Sequence, residues 1–520
     1  MDDVDAIVVG AGHNGLVAAN LLADAGWTVR VLEATPQPGG AVRSGHVTAP
    51  GYLSDLFSAF YPLGYASPVL NRLDLDIAWT HAPDVYTHLL PDGRAATVSR
   101  DVDRTAESME QFAPGDGDRW RHAYADWRAV SGSMLDTLFT PFPPVRPSVG
   151  LLRRLKAGGA LRLARRMVLS VRELGSELFD GEGAALALAG CTLHTDLSPD
   201  EAGGGVYGWL LAMLGQEVGW PAPVGGAGQL TSALVRRFPG EIVYDAPVTR
   251  VLVARGRAMG VRTADGRDWR ARRAVIADVP APALYLDLVG ERWLPPRLTE
   301  DLTHFRWDGA TIKIDWAVRS KVPWKNPAAA GAGTVHLGAD MNGLTRYAAH
   351  LAAGEIPPDP FLLLGQMTTT DATRSPDGTE SMWAYTHLPH RPSWHADEIA
   401  AHVERMEAVI EEQAPGFRSE IVARNVFAPA DMERENPSLV GGALGGGTAA
   451  AFQQLFLRPV PGLGRADTPV DRLFLGSSSA HPGGGVHGAP GANAARAALA
   501  RHGNPLYPAV IGAAHRVIYR

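Results

Sequence analysis

Cysteine is all but missing: Cys191 is the only one in 520 residues. A single thiol excludes an internal disulfide, a thiolate metal cluster and the paired-cysteine centre of the disulfide reductases. Any electron chemistry must then reside on a bound cofactor. A strong excess of one charge is also missing, with 48 basic residues against 55 acidic ones and a net charge of -7. That balance gives no global reason to bind nucleic acid. The longest uncharged apolar run, near residues 202–215, falls short of the ~20 residues that span a bilayer. The opening MDDVD is acidic and leads straight into a strand, without a basic or apolar leader, so a cytoplasmic chain is expected. Cys191, His194 and Asp196 do not have the spacing of a ligand set, and no metal is expected.

Glycine, in contrast, is abundant, with 58 residues. Its most informative placement is AIVVGAGHNGLVAANLLADAGWTVRVLE, residues 6–33. The order reads strand, tight turn, helix, second strand. Gly10 allows the turn, Gly12 lets a pyrophosphate approach the backbone and Gly15 lets the helix pack closely on the strand. The free N–H groups of the helix start, including His13 and Asn14, face the phosphates. Glu33 ends the second strand, where a carboxylate accepts from a ribose hydroxyl and repels a 2'-phosphate. NADP is disfavoured, and NAD and FAD both stay open at this point.

A chain of this length exceeds one core, so two or three domains are expected. The opening unit gives way near Tyr65 to irregular sequence and a β-like stretch around VYTHLLPDGRAATV. From about Arg104 to Leu197 the pattern is helical, and Trp120, Tyr124 and Trp127, three or four residues apart, read as core. PVGGAGQLTSALVRRF (223–238) reads as a glycine turn and a helix, followed by a β-meander through Val279. After a long middle section, LFLGSSSAHPGGGVHGAPGANAARAAL (473–499) gives a strand, a glycine-rich loop and a helix. Three separated pieces thus carry signals fit to contact one large ligand, and no second GxGxxG unit offers a nicotinamide domain. FAD is the better fit.

GAGHNGLVAA, LEA followed by PGGAVRS, GWPAPVGGAGQLTSAL, APVTRVLV with GVRTADG and ARRAVIADV, and HPGGGVHGAPGANAARAAL together resemble the phytoene desaturase-like FAD oxidoreductases. The likeness is greatest to the subgroup of pyridine nucleotide-disulphide oxidoreductase domain 2 proteins. It spans nearly the whole chain, and HPGGGV is its most specific part. The resemblance implies an α/β fold: a discontinuous Rossmann-type FAD-binding domain of the glutathione reductase and amine oxidase kind, with an α+β substrate domain and a helical segment. The FAD-binding pieces fall at 1–75, 221–285 and 441–520, and the substrate pieces at 76–220, with a helical lid, and at 286–440. FAD is implied to be held without a covalent link, and substrates to be lipophilic, often polyenes.

Residue by residue, the resemblance extends the cofactor set to Ala34, Gly39, Gly40, Ala41 and Arg43, to Val248, whose backbone matches an adenine contact, and to Gly476 and Ser477. Ala41 and Ser477 stand where many relatives carry arginine and an acidic residue. The terminal loop adds Pro482, Gly483, Gly484, Gly485, Val486 and Gly491. Three side chains are catalytic candidates. Asp55 is a polar group on the flavin side or a helix cap, and His481 stands beside a flexible glycine run. Lys313 shares a strand face with Thr311 and Asp315. Its stretch is similar to the one whose lysine holds a water near flavin N5 in flavin amine oxidases, and a salt bridge to Asp315 is the alternative.

Residues 151–172 carry seven basic residues and no acidic one, with Leu151, Leu155, Ala164, Val168 and Val171 able to line one helical face. Such a segment docks on an anionic membrane surface, and Gly158 and Gly159 weaken its middle. The reading that follows is dehydrogenation of a hydrophobic small molecule by hydride transfer to flavin N5, with oxygen or a quinone accepting the electrons. Flavin amine oxidation and redox-neutral isomerisation of a polyene or fatty acid are the alternatives, although no aromatic cage stands out along the chain.

Overall fold

The computed structural model describes residues 3–520. In chain order its principal elements begin with β1 (Val4–Val9), α1 (His13–Asp24), β2 (Val29–Leu32), β3 (Asp84–Leu89) and β4 (Ala95–Val98). Four helices follow: α2 (Asp116–Phe139), α3 (Val145–Arg166), α4 (Glu182–Thr192) and α5 (Gly204–Val218). Then come β5 (Glu241–Val243), β6 (Val248–Ala254), β7 (Arg257–Thr263), β8 (Asp268–Ala277), β9 (Ala310–Val318), β10 (Ala332–Leu337), β11 (Leu362–Gln366) and β12 (Glu380–Leu388). The chain closes with α6 (Ala396–Gln413), β13 (Ile421–Phe427), β14 (Leu473–Leu475), α7 (Ala489–Gly503) and α8 (Tyr507–Ile518).

The first seven-stranded sheet runs β6-β7-β8-β1-β2-β5, with β14 paired to β8. Around β1 the pairing is parallel, whereas β6, β7 and β8 form an antiparallel meander. Every residue of β1 is buried, as a strand covered on both faces requires, and this explains the apolar run from Ala6 to Val9. The sheet is assembled from residues 4–32, 241–277 and 473–475.

Two helices lie against β1 and its neighbours through glycine contacts. A Cβ on Gly15 would sit 2.2 Å from the Gly10 carbonyl oxygen, and one on Gly491 of α7 only 1.9 Å from the Asn14 carbonyl oxygen. The second seven-stranded sheet runs β13-β9-β12-β11-β10-β3-β4, antiparallel except for the β10–β3 pair. Ile312, Ile314, Leu362, Leu364 and Val335 pack on Val403, Met406 and Ile410 of α6 in one core, so one face of this sheet is aliphatic. Its other face is covered in part by α4, where the Tyr86 hydroxyl donates to the Ala187 carbonyl at 3.3 Å.

In the helical layer Trp120 and Trp127 are fully buried. Trp120 donates to Gln216 at 2.9 Å and Trp127 meets Trp209 edge-on at 5.3 Å. The basic segment departs from the expected single helix. Lys156 leaves helical geometry (φ 54°, ψ 178°) and α3 ends at Arg166, while Val171 is fully buried in a separate short helix. Leu151 and Leu155 pack partly against the core. Of the expected face Val168 is exposed, and the other exposed apolar side chains are Val145, Val149, Leu152, Leu161 and Met167.

Gly491→Ala should lower stability by about 1–3 kcal/mol, as overpacking does, because the new methyl meets backbone. Gly503→Ala, with nothing within 4 Å of its added Cβ, should not. Thermal unfolding of the two variants checks this.

Candidate functional site

The parallel strands end at one edge, where the loops after β1 and β8 meet. Gly10 has φ +95°, and a Cβ there would lie 2.8 Å from the Asp278 carbonyl oxygen. Glu33 accepts the Ala11 N–H at 2.7 Å and the Thr35 N–H and hydroxyl at 2.9 and 2.8 Å, so its carboxylate is fixed at the end of β2. Between them opens a cavity of about 360 Å³, lined by Gly10, Gly12, His13, Asn14, Glu33, Ala34, Gly40, Ala41, Arg43, Val248 and Ser477. A majority of the cofactor residues expected from the sequence therefore face one space.

The others brace it. Gly39 bridges Gly12, Gly476 meets Ala494 and Ile276, and Gly484 lies against the Gly445 backbone. Gly15 and Gly491 seat α1. His13 rests against the Gly485 backbone, and the Val486 carbonyl oxygen faces Gly64 while Gly483 faces Arg458. Pro482 follows His481 in the same buried loop.

The chemistry of this cavity suits a dinucleotide. A glycine-lined entry to a helix N-terminus is a ready anion site, and His13 Nε2 and Asn14 Oδ1 are buried there without a hydrogen-bond partner. Burial brings His13 down to about 4, so it is neutral at physiological pH. Arg43 is buried, donates to the carbonyls of Gly40 (3.1 Å) and Glu435 (2.9 Å) and so is fixed at the cavity rim.

Three elements of this site were not read from the sequence. Asp278, just past β8, accepts the Gly15 N–H at 2.8 Å and lines the cavity. Its carboxyl is pushed up to about 7, first by burial and then by Glu33 nearby. The rule that ligands sit beyond the carboxyl ends of parallel strands is the signal that would have found it. Asp308 accepts the N–H groups of Leu444, Gly445 and Gly447 at 2.7, 2.7 and 3.0 Å. From the other side, buried Arg458 donates to the carbonyls of Gly445, Thr448 and Ser478 at 2.9, 3.1 and 2.7 Å. These two charges clamp the glycine turn whose Leu444 and Gly446 form a cavity wall.

The catalytic candidates separate. Asp55 is fully buried, accepts from Ser44 at 2.6 Å and the Ala227 N–H at 2.7 Å, and pairs with Arg374 at 2.9 Å. Arg374 also holds Asp371 at 2.8 Å, so Asp55 belongs to a buried Asp–Arg–Asp triad joining the segments around 44–55, 227 and 371–374. His481 packs against the end of α2, near the Leu138 and Thr140 backbone, and burial lowers it to about 4. Lys313 pairs with Asp315 at 2.5 Å and sits 6.0 Å from the Phe427 ring centroid. Burial raises Asp315 to about 6 against the pull of Lys313.

Lys313 lies opposite Tyr385 in the β9–β12 register. Tyr385 and Trp383 stack at 6.0 Å with planes 24° apart, and Phe60 meets Trp383 at 6.1 Å. The stack lies on one strand, and only the β9–β12 register sets it beside Lys313.

Two outcomes follow. Asp55→Ala should cost about 1–3 kcal/mol of stability, since it leaves the Ala227 N–H without its acceptor while Arg374 keeps Asp371; chemical denaturation measures it. Asp278 has a folded-state carboxyl raised above its ordinary value, so its protonated form supports the fold fully below about pH 4 and that support fades as pH rises through about 7. Flavin-free Asp278→Asn should gain melting temperature over the wild type at about pH 8 and little at about pH 4.

The comparisons agree with this geometry. Residues 15–368 match the family model described as flavin containing amine oxidoreductase. A mouse (Mus musculus) protein named pyridine nucleotide-disulfide oxidoreductase domain-containing protein 2 is 27% identical, over 95% of this chain and 93% of its own. The neurosporene-forming phytoene desaturase of Rhodobacter capsulatus is 25% identical over 92% of this chain and 91% of its own. Among solved structures, an oxidoreductase from Methanosarcina mazei aligns with a TM-score of 0.63 at 16% identity, covering 95% of this chain and 99% of that one. Putrescine oxidase bound to putrescine aligns with a TM-score of 0.62 at 17% identity, covering 97% and 100%. The glycine cradle, the α/β fold and the matched family lead to one conclusion: the chain belongs to the flavin containing amine oxidoreductase family and is a FAD-dependent oxidoreductase.

Proposed function

We propose that this chain dehydrogenates a hydrophobic substrate, of polyene or isoprenoid type, over non-covalently held FAD. The observation that carries the reading is the union, in one chain, of the dinucleotide cradle with a substrate sheet whose inner face bears Lys313 and the Trp383–Tyr385 stack. Full-length likeness to phytoene desaturases supports the substrate class. When bound, FAD supplies the hydride acceptor at flavin N5 and passes electrons to oxygen or a quinone.

The chain's own part is positioning and water exclusion. Gly10, Gly12 and the α1 N-terminus would hold the pyrophosphate, Glu33 a ribose and Val248 the adenine, with Arg43 and Ser477 lining the same cavity. Lys313, ion-paired with Asp315, donates from Nζ to hold a water at the reacting position. His481 and Asp55 support the site from behind, the first through the 482–486 loop and the second through Arg374. A specific observation favours amine oxidation as the second reading: the stacked aromatic pair beside Lys313.

Substrate supply also fits a lipid source. No helix among the described residues is long and apolar enough to cross a membrane. α3 has no buried residue and presents Val149, Leu152 and Leu161 among its arginines. Phe142 near its start meets Phe456 at 5.6 Å, and Phe452, Leu455 and Phe456 are exposed. Apolar side chains set among basic ones suit an anionic bilayer surface, and we assign membrane docking to this patch.

Anaerobic addition of polyene, isoprenoid and amine panels to the FAD-loaded protein tests the reading. Bleaching of the flavin absorbance by the lipophilic compounds is expected, and bleaching by amines alone would replace it with the second. Product formed without any electron acceptor would mark an isomerase. Lys313→Met should slow bleaching by about 10²-fold with FAD retained. The double variant Leu152→Glu, Leu161→Glu should lose flotation with anionic vesicles and keep its rate on detergent-dissolved substrate; unchanged flotation would remove the membrane assignment.

A further inference from the structure

The glycine turn that suits a pyrophosphate already has a carboxyl group packed against it. A Cβ built on Gly12 would lie 2.5 Å from Asp278 Oδ2, one on Gly15 3.1 Å from the same oxygen, and one on Gly10 3.4 Å from the Asp278 Cβ. All three glycines of the motif therefore rest on this residue. Oδ2 accepts the Gly15 N–H at 2.8 Å, which takes up one of the free donors at the start of α1. Among the described residues that N–H is its one hydrogen-bond partner, and no cation is paired with it. Asp278 nevertheless keeps some accessible surface, and the space it faces is the dinucleotide cavity.

Its charged surroundings are acidic. Glu33, fixed at the end of β2, opposes a second negative charge beside it, and Asp287 and Glu435 line the same cavity. Arg43, the cation among the lining residues, is spent on the carbonyls of Gly40 and Glu435 and on the Glu435 carboxylate at 3.5 Å. His13 is held neutral by burial. Only the Gly15 N–H favours the Asp278 anion, and burial with Glu33 outweighs it, leaving the group at about 7. FAD brings an anionic pyrophosphate to the same helix end. A like charge favours the protonated form of a neighbouring carboxyl, so the cofactor pushes Asp278 further toward the neutral acid.

We infer that FAD binds this protein together with one proton, and that Asp278 carries that proton in the complex. The proton comes from solvent: flavin-free protein, FAD and one proton combine to give the complex. A neutral carboxyl still accepts the Gly15 N–H at one oxygen and gains an O–H donor at the other, so the wall beside the phosphates offers a donor where an anion would repel. The inference concerns the cofactor cradle and is independent of the substrate reading. Its sign follows from linkage. Well below pH 7 the flavin-free protein already holds the proton and affinity does not change with pH. Above about 7 the proton must be drawn from water, and affinity falls by up to about tenfold for each pH unit.

The test titrates the full chain, freed of flavin, with FAD. Flavin fluorescence gives the Kd across the pH range, and calorimetry in two buffers of different ionisation enthalpy counts the protons taken up. The wild type is expected to bind about tenfold more weakly at about pH 8 than at about pH 5, and to take up close to one proton at the higher pH and none at the lower. Asp278→Asn, which keeps an oxygen for the Gly15 N–H, should bind FAD equally at both pH values and take up no proton. Circular dichroism at each pH reports whether the variant is folded. If it is not, Asp278→Ser, which also lacks a titrating group, takes its place, and the proton count of the wild type still tests whether a proton accompanies FAD. A wild-type Kd that does not change with pH would overturn the inference and leave the FAD assignment standing. A pH dependence that survives in the variants would overturn the placement of the proton on Asp278. Tighter binding with magnesium at about pH 8, without proton uptake, would also overturn it, since a cation would then relieve the like charges. Failure to bind FAD at any pH would overturn the cradle itself.

Discussion

Everything at the cofactor edge depends on how closely α1 can approach its neighbours. Side chains at Gly12, Gly15 and Gly491 would occupy the positions of the Asp278 carboxyl, the Gly10 carbonyl and the Asn14 backbone. With those Cβ atoms absent, the helix start meets the ends of β1 and β8, and its N–H groups border a cavity instead of packed side chains. The same approach brings Asp278 onto the Gly15 N–H. A negative group is electrostatically favoured at that helix end, yet burial works against its ionisation. The two opposed effects leave its carboxyl raised to about 7, on the wall of the cavity at that helix end.

The second region is organised by charges that seldom touch solvent. Asp55, Arg374 and Asp371 tie the first FAD-binding segment to the substrate sheet, and Arg458 and Asp308 hold the 444–448 turn from opposite sides. Arg458 is satisfied by carbonyl oxygens and Asp308 by N–H groups, so each takes the half of the peptide unit that the other leaves. Such networks contribute to stability only when complete, which is why single neutral replacements within them act on the whole cavity wall. The second sheet then presents an aliphatic face to α6 and, on its other side, Lys313, Tyr385 and Trp383. A strand alternates its side chains between two environments.

The legible part of this chain was local. The run from Ala6 to Glu33 combined a buried-strand pattern, three glycines at fixed offsets and a terminal carboxylate, and each of those signals reflects contacts made within one βαβ unit. Trp120 and Trp127 were legible as core for the same reason, since helical spacing alone places them on one side. Lys313 and Asp315 could be put on a common face, because strand periodicity needs no partner. By contrast, the outward face of α3 was misread: helical periodicity was carried through Lys156, where the backbone turns, and on to Val171, which the fold draws inside. Nor did Asp278, Arg458 or the Trp383–Tyr385 stack show themselves: Asp278 takes its meaning from Gly15, 263 positions away, Arg458 from the carbonyls of a folded turn, and the stack from the strand that sets it beside Lys313.

The sequence by itself determined the dinucleotide unit and the chemistry excluded by a lone cysteine, since backbone freedom at glycine and the count of thiols are properties of the chain. It also determined which residues alternate along β9. Tertiary structure decided what those residues do together. Sheet register set Lys313 beside Tyr385, the buried triad drew Asp55 into an ion network, and the packing of α4 on the second sheet buried His336 against Gly190. Burial, register and hydrogen-bond partnership are relations between distant segments, and they exist only once the chain has folded.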